Sequence, residues 1–286
     1  MSMIYILYNP LAGNKDSEDK ARKLSEIYPG RELKFLDIRN VTNYQVFIEG
    51  LEQKDELIIC GGDGTLNQFI NATEGLTIRN SVYYYATGNG NDFLRDVADG
   101  KADKPIRINK YIKHLPVVTV NGKSYRFLNG IGYGIDGFCC EVGDKLKEKG
   151  KKPNYTMIAI KGLLLRYKAT NATVTVDGVS KKYKRVWIAP TMNGRFYGGG
   201  MMPTPDQNRN DRTKGVSVML MHKAGRLRTL CIFPSIFKGK HIKHRKVVDV
   251  IRGHSITVEF DHPVALQIDG ETVLNVSKYQ VQSGAY

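Results

Sequence analysis

Three short segments of the chain gather residue types suited to phosphate. The first is Gly61-Gly62-Asp63-Gly64-Thr65-Leu66-Asn67, entered from the apolar run Leu57-Ile58-Ile59-Cys60. Glycines let a backbone come close to a phosphate. A helix opening at this point offers unpaired amides and a partial positive charge to an anion. Thr65 is placed to cap that helix, with Gln68 three residues on to complete a capping box. Asp63 stands where a magnesium ion could bridge phosphates, since a carboxylate beside phosphates makes sense only with a cation present. No Gly-Lys-Ser/Thr follows, so this is not a Walker A loop, and it is not a GxGxxG dinucleotide loop.

The second segment, Ala86-Thr87-Gly88-Asn89-Gly90-Asn91-Asp92-Phe93, has the same make-up of glycines, small polar groups and a carboxylate. The third is the turn Asn9-Pro10-Leu11-Ala12-Gly13. Each follows an apolar run that reads as a strand: 3–8, 56–60 and 81–86. Between them lie helical patterns over residues 16–28 and 44–53, another strand over 32–38, and a helix after Gly64. Strands alternating with helices imply a parallel sheet covered on both faces, with ligands outside the carboxyl ends of the strands. The three loops then open on one edge, where Asp63 and Asp92 flank a single metal-bound nucleotide.

Beyond about residue 115 the pattern changes to hairpins. Asn121-Gly122, Asp177-Gly178 and Asp269-Gly270 each separate two apolar-alternating stretches, the strongest short-range hairpin signal. Residues 216–221 and 255–260 read as further strands, and one helix is expected at 154–167. The expected fold class is thus α/β. An N-terminal three-layer α/β domain with a mainly parallel sheet spans 1–116, and a C-terminal antiparallel β-sandwich or barrel spans 117–278. Residues 279–286 are candidates to return to the first domain.

The 286-residue length suits two domains. With no apolar run of about 18 residues, nothing is expected to span a bilayer as a helix. The start, 1–9, reads as a strand rather than a signal peptide. Four cysteines without a CxxC pair suggest reduced cytosolic thiols and no zinc site. The net charge of +15 is uneven. Residues 1–118 hold 15 Lys and Arg against 16 Asp and Glu, whereas 119–286 hold 28 against 12. The basic half should be drawn to an anionic surface, with residues 145–152, 154–167 and 241–246 as contacts. No aromatic array for single-stranded nucleic acid is evident, so no nucleic-acid partner is expected.

In order and spacing, the three loops resemble the diacylglycerol kinase catalytic domain, whose family also holds sphingosine, ceramide and bacterial lipid kinases. Gly130-Ile131-Gly132-Tyr133-Gly134-Ile135-Asp136, Gly198-Gly199-Gly200-Met201 and Gln267-Ile268-Asp269-Gly270-Glu271 fit that family's later landmarks, so the resemblance covers nearly the whole chain. It implies an NAD-kinase/phosphofructokinase-like first domain and ATP in a cleft. It implies that Asn9, Pro10, Leu11, Ala12 and Gly13 and the segment Gly61–Asn67 hold ATP, and that Asp63 and Asp92 organise Mg2+. It also places the general base at Asp269 or Glu271, where the residues alone indicate only a hairpin turn.

Two departures stand out. Asn89 occupies the family's threonine position and Ala86 its proline, although Asn89, like Gly88 and Asn91, remains suited to a phosphate. Bacterial relatives hold a structural magnesium after the glycine–methionine stretch, built on an Asp-Gly pair. Here only Asp206 or Asp211 is available for it. The expectation is therefore an ATP- and Mg2+-dependent lipid kinase, with diacylglycerol the leading acceptor. It would be cytoplasmic, peripheral to the inner membrane face, homodimeric and part of phospholipid biosynthesis. The alternatives are a small-molecule kinase of the NAD-kinase type and a catalytically silent lipid- or nucleic-acid-binding protein.

Overall fold

Strand β1 (Met3–Tyr8) is the second strand of a five-stranded sheet, in the order β2-β1-β3-β4-β5. Its partners are β2 (Glu32–Asp37), β3 (Glu56–Gly61), β4 (Ser81–Ala86) and the short β5 (Ile106–Arg107). β1 to β4 run parallel, and β5 pairs antiparallel with β4. This computed structural model describes residues 2–13, 16–88, 90–100 and 102–284, apart from the side chains of Thr156, Arg166 and Arg212.

The connections are α1 (Ser17–Arg22), α2 (Leu24–Ile27), α3 (Tyr44–Glu49), α4 (Asp63–Ala72), α5 (Asp92–Ala98) and α6 (Asn109–Ile112). The single helix expected over 16–28 is in fact two, divided at Lys23. Ile4, Ile6, Ile58 and Cys60 meet Ala21 and Leu24 in a buried cluster. β3 is buried from Leu57 to Gly61, as a central parallel strand must be when both faces are covered. Full burial of side chains such as Ile58 is worth about 1.5–3 kcal/mol each, which fixes the strand whose end carries Gly61.

Two compact units divide the chain, Met1–Lys113 and His114–Tyr286. The second is built on an antiparallel sheet. Its strands are β6 (Val117–Val120), β7 (Lys123–Arg126), β8 (Gly130–Tyr133), β9 (Thr170–Val176), β10 (Val179–Val186), β11 (Thr191–Met192), β12 (Val216–Met221), β13 (Val248–Gly253), β14 (Ser255–Ile268) and β15 (Glu271–Gln282). The main path is β13-β12-β11-β8-β14-β15-β6-β7, with β9 on β14 and β10 on β9. The three predicted turns join β6 to β7, β9 to β10 and β14 to β15. In each, both central residues have positive φ, for example Asp269 at 46° and Gly270 at 99°, the backbone that favours Asn-Gly and Asp-Gly.

Two expectations are corrected here. The C-terminal strand stays in the second unit, because Tyr279–Gln282 pair with Val117–Val120. That unit also holds more helix than the one segment expected: α7 (Ile135–Glu148), α8 (Tyr155–Lys161) and α9 (Arg226–Ile232). α7 takes in Lys145 and Lys147 of the basic segment 145–152, and a five-residue π-helical stretch, Gly162–Arg166, continues α8. Among the described residues no helix is long and apolar enough to cross a membrane.

Candidate active site

In the first unit the ends of β1, β3 and β4 are tied together by their own backbones. Asn9 N donates to Cys60 O at 3.1 Å, while Thr87 N and Gly88 N both donate to Gly61 O, at 2.9 and 3.2 Å. Asn9 also bridges two loops through its side chain. Nδ2 donates to Thr65 Oγ1 at 3.0 Å, and Oδ1 accepts Leu11 N at 3.0 Å. The glycines matter where chains nearly touch. A Cβ on Gly88 would lie 2.5 Å from Gly62 Cα, and one on Gly61 would lie 2.4 Å from Thr65 Cβ. Gly13, at φ 65°, would bring a Cβ to 2.7 Å from Thr87 O. The three predicted loops are therefore one constellation.

Helix α4 opens at Asp63 with Gly62 as its N-cap, not at Thr65. Thr65 is buried and holds Asn9 instead of capping. Asp63 caps the following loop. Its Oδ2 accepts Asp92 N at 2.8 Å and its Oδ1 accepts Phe93 N at 2.9 Å. Asn91 turns that loop with φ 48° and closes it by donating Nδ2 to Gly88 O at 2.7 Å. Asp92 is buried, and Arg95 Nη1 lies 3.1 Å from its Oδ1.

Pro10, Ala12, Gly13, Gly62, Asp63, Gly64, Gly88 and Asn91 remain partly accessible and Leu11 is exposed. Leu66 and Asn67 instead pack inward, Leu66 wholly buried and Asn67 Oδ1 accepting from Asn71 Nδ2. Asn89 lies outside the described residues. The partly accessible residues fit a polyphosphate: the α4 amides, small side chains and Asp63 face it. For magnesium, Asp63 fits as a single carboxylate beside phosphate oxygens, a common arrangement for that ion. Asp92 fits less well, because Arg95 already balances its charge.

Sequence reasoning missed a neighbouring hollow of about 530 Å³ at the carboxyl ends of β1 and β2. Tyr8, Phe35, Asp37, Asn40 and Phe47 line it. Arg39 clamps Asp37 through Nε and Nη2 and holds its carboxyl below the usual range. Tyr8 immediately precedes Asn9, so the hollow adjoins the first loop. Its residues lie far apart in sequence and carry no motif.

In the second unit, the Asp269 carboxylate accepts three backbone amides, from Leu128, Asn129 (2.8 Å) and Gly130 (2.9 Å). Asp177, at the comparable turn, does the same with His254 N and Ser255 N. Asp269 thus clamps its turn to the strand beside it, while Glu271, two residues on, is exposed.

Asp206 and Asp211, the residues expected to hold a structural metal, do not stand in a cluster of acidic groups. Among the described residues no cluster of three or more His, Cys, Asp or Glu could hold a metal. Asp211 is engaged by Lys214 at 2.7 Å, and Asp206 O accepts Arg252 Nη2. This segment supplies a cation of its own: Arg209 donates to Leu128 O and Asn129 Oδ1, next to the amides that hold Asp269.

These features are those of a parallel-sheet α/β unit followed by an antiparallel β-sandwich. The chain matches the family model of the diacylglycerol kinase catalytic domain over residues 3–120. Residues 129–282 match that of the YegS C-terminal NAD kinase beta sandwich-like domain. It is 24% identical over 226 residues to a diacylglycerol kinase of Bacillus subtilis, covering 77% of this chain and 72% of that protein. Against a diacylglycerol kinase of Mycobacterium tuberculosis it is 23% identical over 212 residues, covering 72% and 67%. The crystal structure of a diacylglycerol kinase from Bacillus anthracis matches with a TM-score of 0.66 at 22% identity, covering 98% of this chain and 93% of that one. At that identity the structural likeness speaks for the fold. The chain belongs to the diacylglycerol kinase catalytic-domain family of lipid kinases.

Proposed function

We propose that this protein transfers the γ-phosphoryl group of ATP to the hydroxyl of a membrane lipid, with diacylglycerol the leading acceptor and phosphatidic acid the product. The observation that carries this reading is the convergence of three glycine loops around Asp63 in the first unit. The loop amides and the N-terminus of α4 bind the phosphates. The hollow beside Tyr8 takes the base. Asp63 orients a magnesium ion, which when bound neutralises charge on the phosphate oxygens.

Glu271 is the better candidate to take the hydroxyl proton as the lipid oxygen attacks phosphorus and the bond to the leaving ADP breaks. Three amides already occupy the Asp269 carboxylate, which commits it to holding its turn. Asp269 sets the turn from which Glu271 acts.

The lipid arrives through a surface on the second unit. Arg226, at the start of α9, donates to Leu163 O and so joins α9 to the π-helical stretch. Around that junction Leu165 is 78% and Leu227 74% exposed, with Met157 and Leu164 also exposed. Ala159 and Leu163 of the same segment are buried, so one face packs while the other is left apolar toward solvent. Lys161, Arg226 and Arg228 flank it. A basic, apolar-tipped surface suits an anionic leaflet, each nearby cation adding about 1 kcal/mol. His241, within a predicted contact, is instead buried against Pro203 O.

The test is ATP consumption with magnesium in mixed micelles of diacylglycerol, ceramide or phosphatidylglycerol, and with NAD. Turnover with diacylglycerol is expected. Turnover with NAD and with no lipid would overturn the proposal.

A further inference from the structure

Helix α7 starts just after β8, and its second residue, Asp136, is buried. Its Oδ2 accepts Gln267 Nε2 at 3.0 Å. Gln267 Oε1 in turn accepts Gly270 N at 2.6 Å, in the middle of the Asp269-Gly270-Glu271 tip. Two glycines make room for this arrangement. A Cβ on Gly132 would stand 1.4 Å from Asp136 Oδ2 and 2.7 Å from Gln267 Nε2. A Cβ on Gly137 would stand 1.9 Å from Ala265 O. α7 is thus seated directly on β14. On the paired strand, Thr272, the register partner of Gln267, donates Oγ1 to Asp144 Oδ2 at 2.6 Å, so α7 grips the hairpin on both sides of its tip.

A primary amide can be turned two ways. An ionised carboxylate only accepts hydrogen bonds, so it selects the orientation with the Gln267 NH2 toward Asp136. The amide carbonyl is then left for Gly270 N. We propose that Asp136 is a positioning residue which, through Gln267, holds the hairpin tip that carries Glu271. This rests on the reading of Glu271 as the group that takes the acceptor proton.

Protonation would release the selection. A neutral Asp136 donates as well as accepts, so the charge-assisted bond to the Gln267 NH2 is lost and the Gly270 N–H alone is left to set the amide. Burial pushes the Asp136 carboxyl up to about 6, while Gln267 and Tyr197 act in the opposite direction. Cys139 and Cys140 of its own helix also feel its charge. From the packed elements, Tyr155 of α8 meets Gly143 and Asp144 meets Thr272, one or more helical turns away. No lysine, arginine or histidine is among the causes of the Asp136 shift.

The experiment uses the full chain and the variants Asp136→Asn and Gln267→Met. It measures steady-state kinetics from about pH 5 to about pH 8 and hydrogen exchange of the 269–271 amides at one fixed pH. Asn meets Gln267 in either orientation, so the carboxylate's share of the selection is lost without loss of volume. Both variants should lower kcat about tenfold or more while the KM for ATP stays within about twofold. Wild-type kcat should fall as the pH drops through about 6, and Asp136→Asn should lack that acid limb. Exchange at Gly270 should quicken about tenfold in both variants. Folded variants with unchanged exchange, or an acid limb that persists in Asp136→Asn, would overturn the proposal. If the wild type turned over no lipid, the kinase reading would fail while the exchange measurement still decided the positioning role.

Discussion

The Asp63 carboxylate accepts the backbone amide of Phe93 at 2.9 Å, so the acidic residue of one phosphate loop is the cap of the helix that follows another. The same side chain also accepts Asp92 N. A ligand that pulls on Asp63 therefore pulls on the second loop. Asp63→Ala should abolish turnover and also lower stability by about 1–2 kcal/mol, the usual worth of a helix cap. Urea denaturation and ATP-binding calorimetry separate the two effects. A fully stable, inactive Asp63→Ala would show that the cap contributes nothing.

Asp269 and Glu271 should part company on mutation. Asp269→Ala leaves the amides of Leu128, Asn129 and Gly130 without their acceptor. It should cost on the order of 3 kcal/mol of stability, because bonds to a charged group are strong and orphaned donors are penalised. Glu271 is exposed, so Glu271→Gln should leave the melting temperature near wild type and lower kcat about a hundredfold or more. The opposite pattern, with a stable but dead Asp269→Asn and an active Glu271→Gln, would reassign the base.

Much of this architecture is legible in the sequence, because it depends on local rules. Strand–glycine junctions at Gly61 and Gly88 and two-residue turns at 121–122, 177–178 and 269–270 each declare themselves within about ten residues. α7 was not legible. Its apolar positions, Ile135, Phe138, Cys139 and Leu146, are interleaved with Gly137, Gly143 and charged residues, which weakens the stripe. The role of Asp269 was hidden for a different reason. Its partners lie 139 to 141 residues away, and no periodicity reports a pairing across that separation. The hollow at Tyr8 and Phe47 is likewise a product of packing alone.

The apolar surface formed by α9 and the stretch after α8 should bind membranes through two separable terms. Leu165→Glu combined with Leu227→Glu removes apolar area and adds repulsion from an anionic leaflet. Vesicle sedimentation with phosphatidylglycerol liposomes should then show affinity down about tenfold or more, since each buried leucine is worth about 1.5–3 kcal/mol. Wild-type binding should weaken with salt as the cations are screened. Equal binding by the double variant, or binding indifferent to salt, would place the contact elsewhere.

The buried carboxyl of Asp136 should leave a mark on stability with a definite sign. Its value in the folded protein is raised to about 6, so the folded state holds this proton more tightly than the unfolded chain does. That contribution is fully present below the ordinary carboxyl range and is lost as the pH rises through about 6. At neutral pH the ionised side chain therefore costs on the order of 2–3 kcal/mol. Asp136→Asn should accordingly be more stable than wild type at about pH 8 and approach it at about pH 4, measured by urea denaturation. A gain in stability joined to a loss of kcat is what distinguishes a side chain kept for the geometry of the tip from one kept for the fold. A variant less stable than wild type at every pH would mean that the carboxylate serves the packing of α7 on β14.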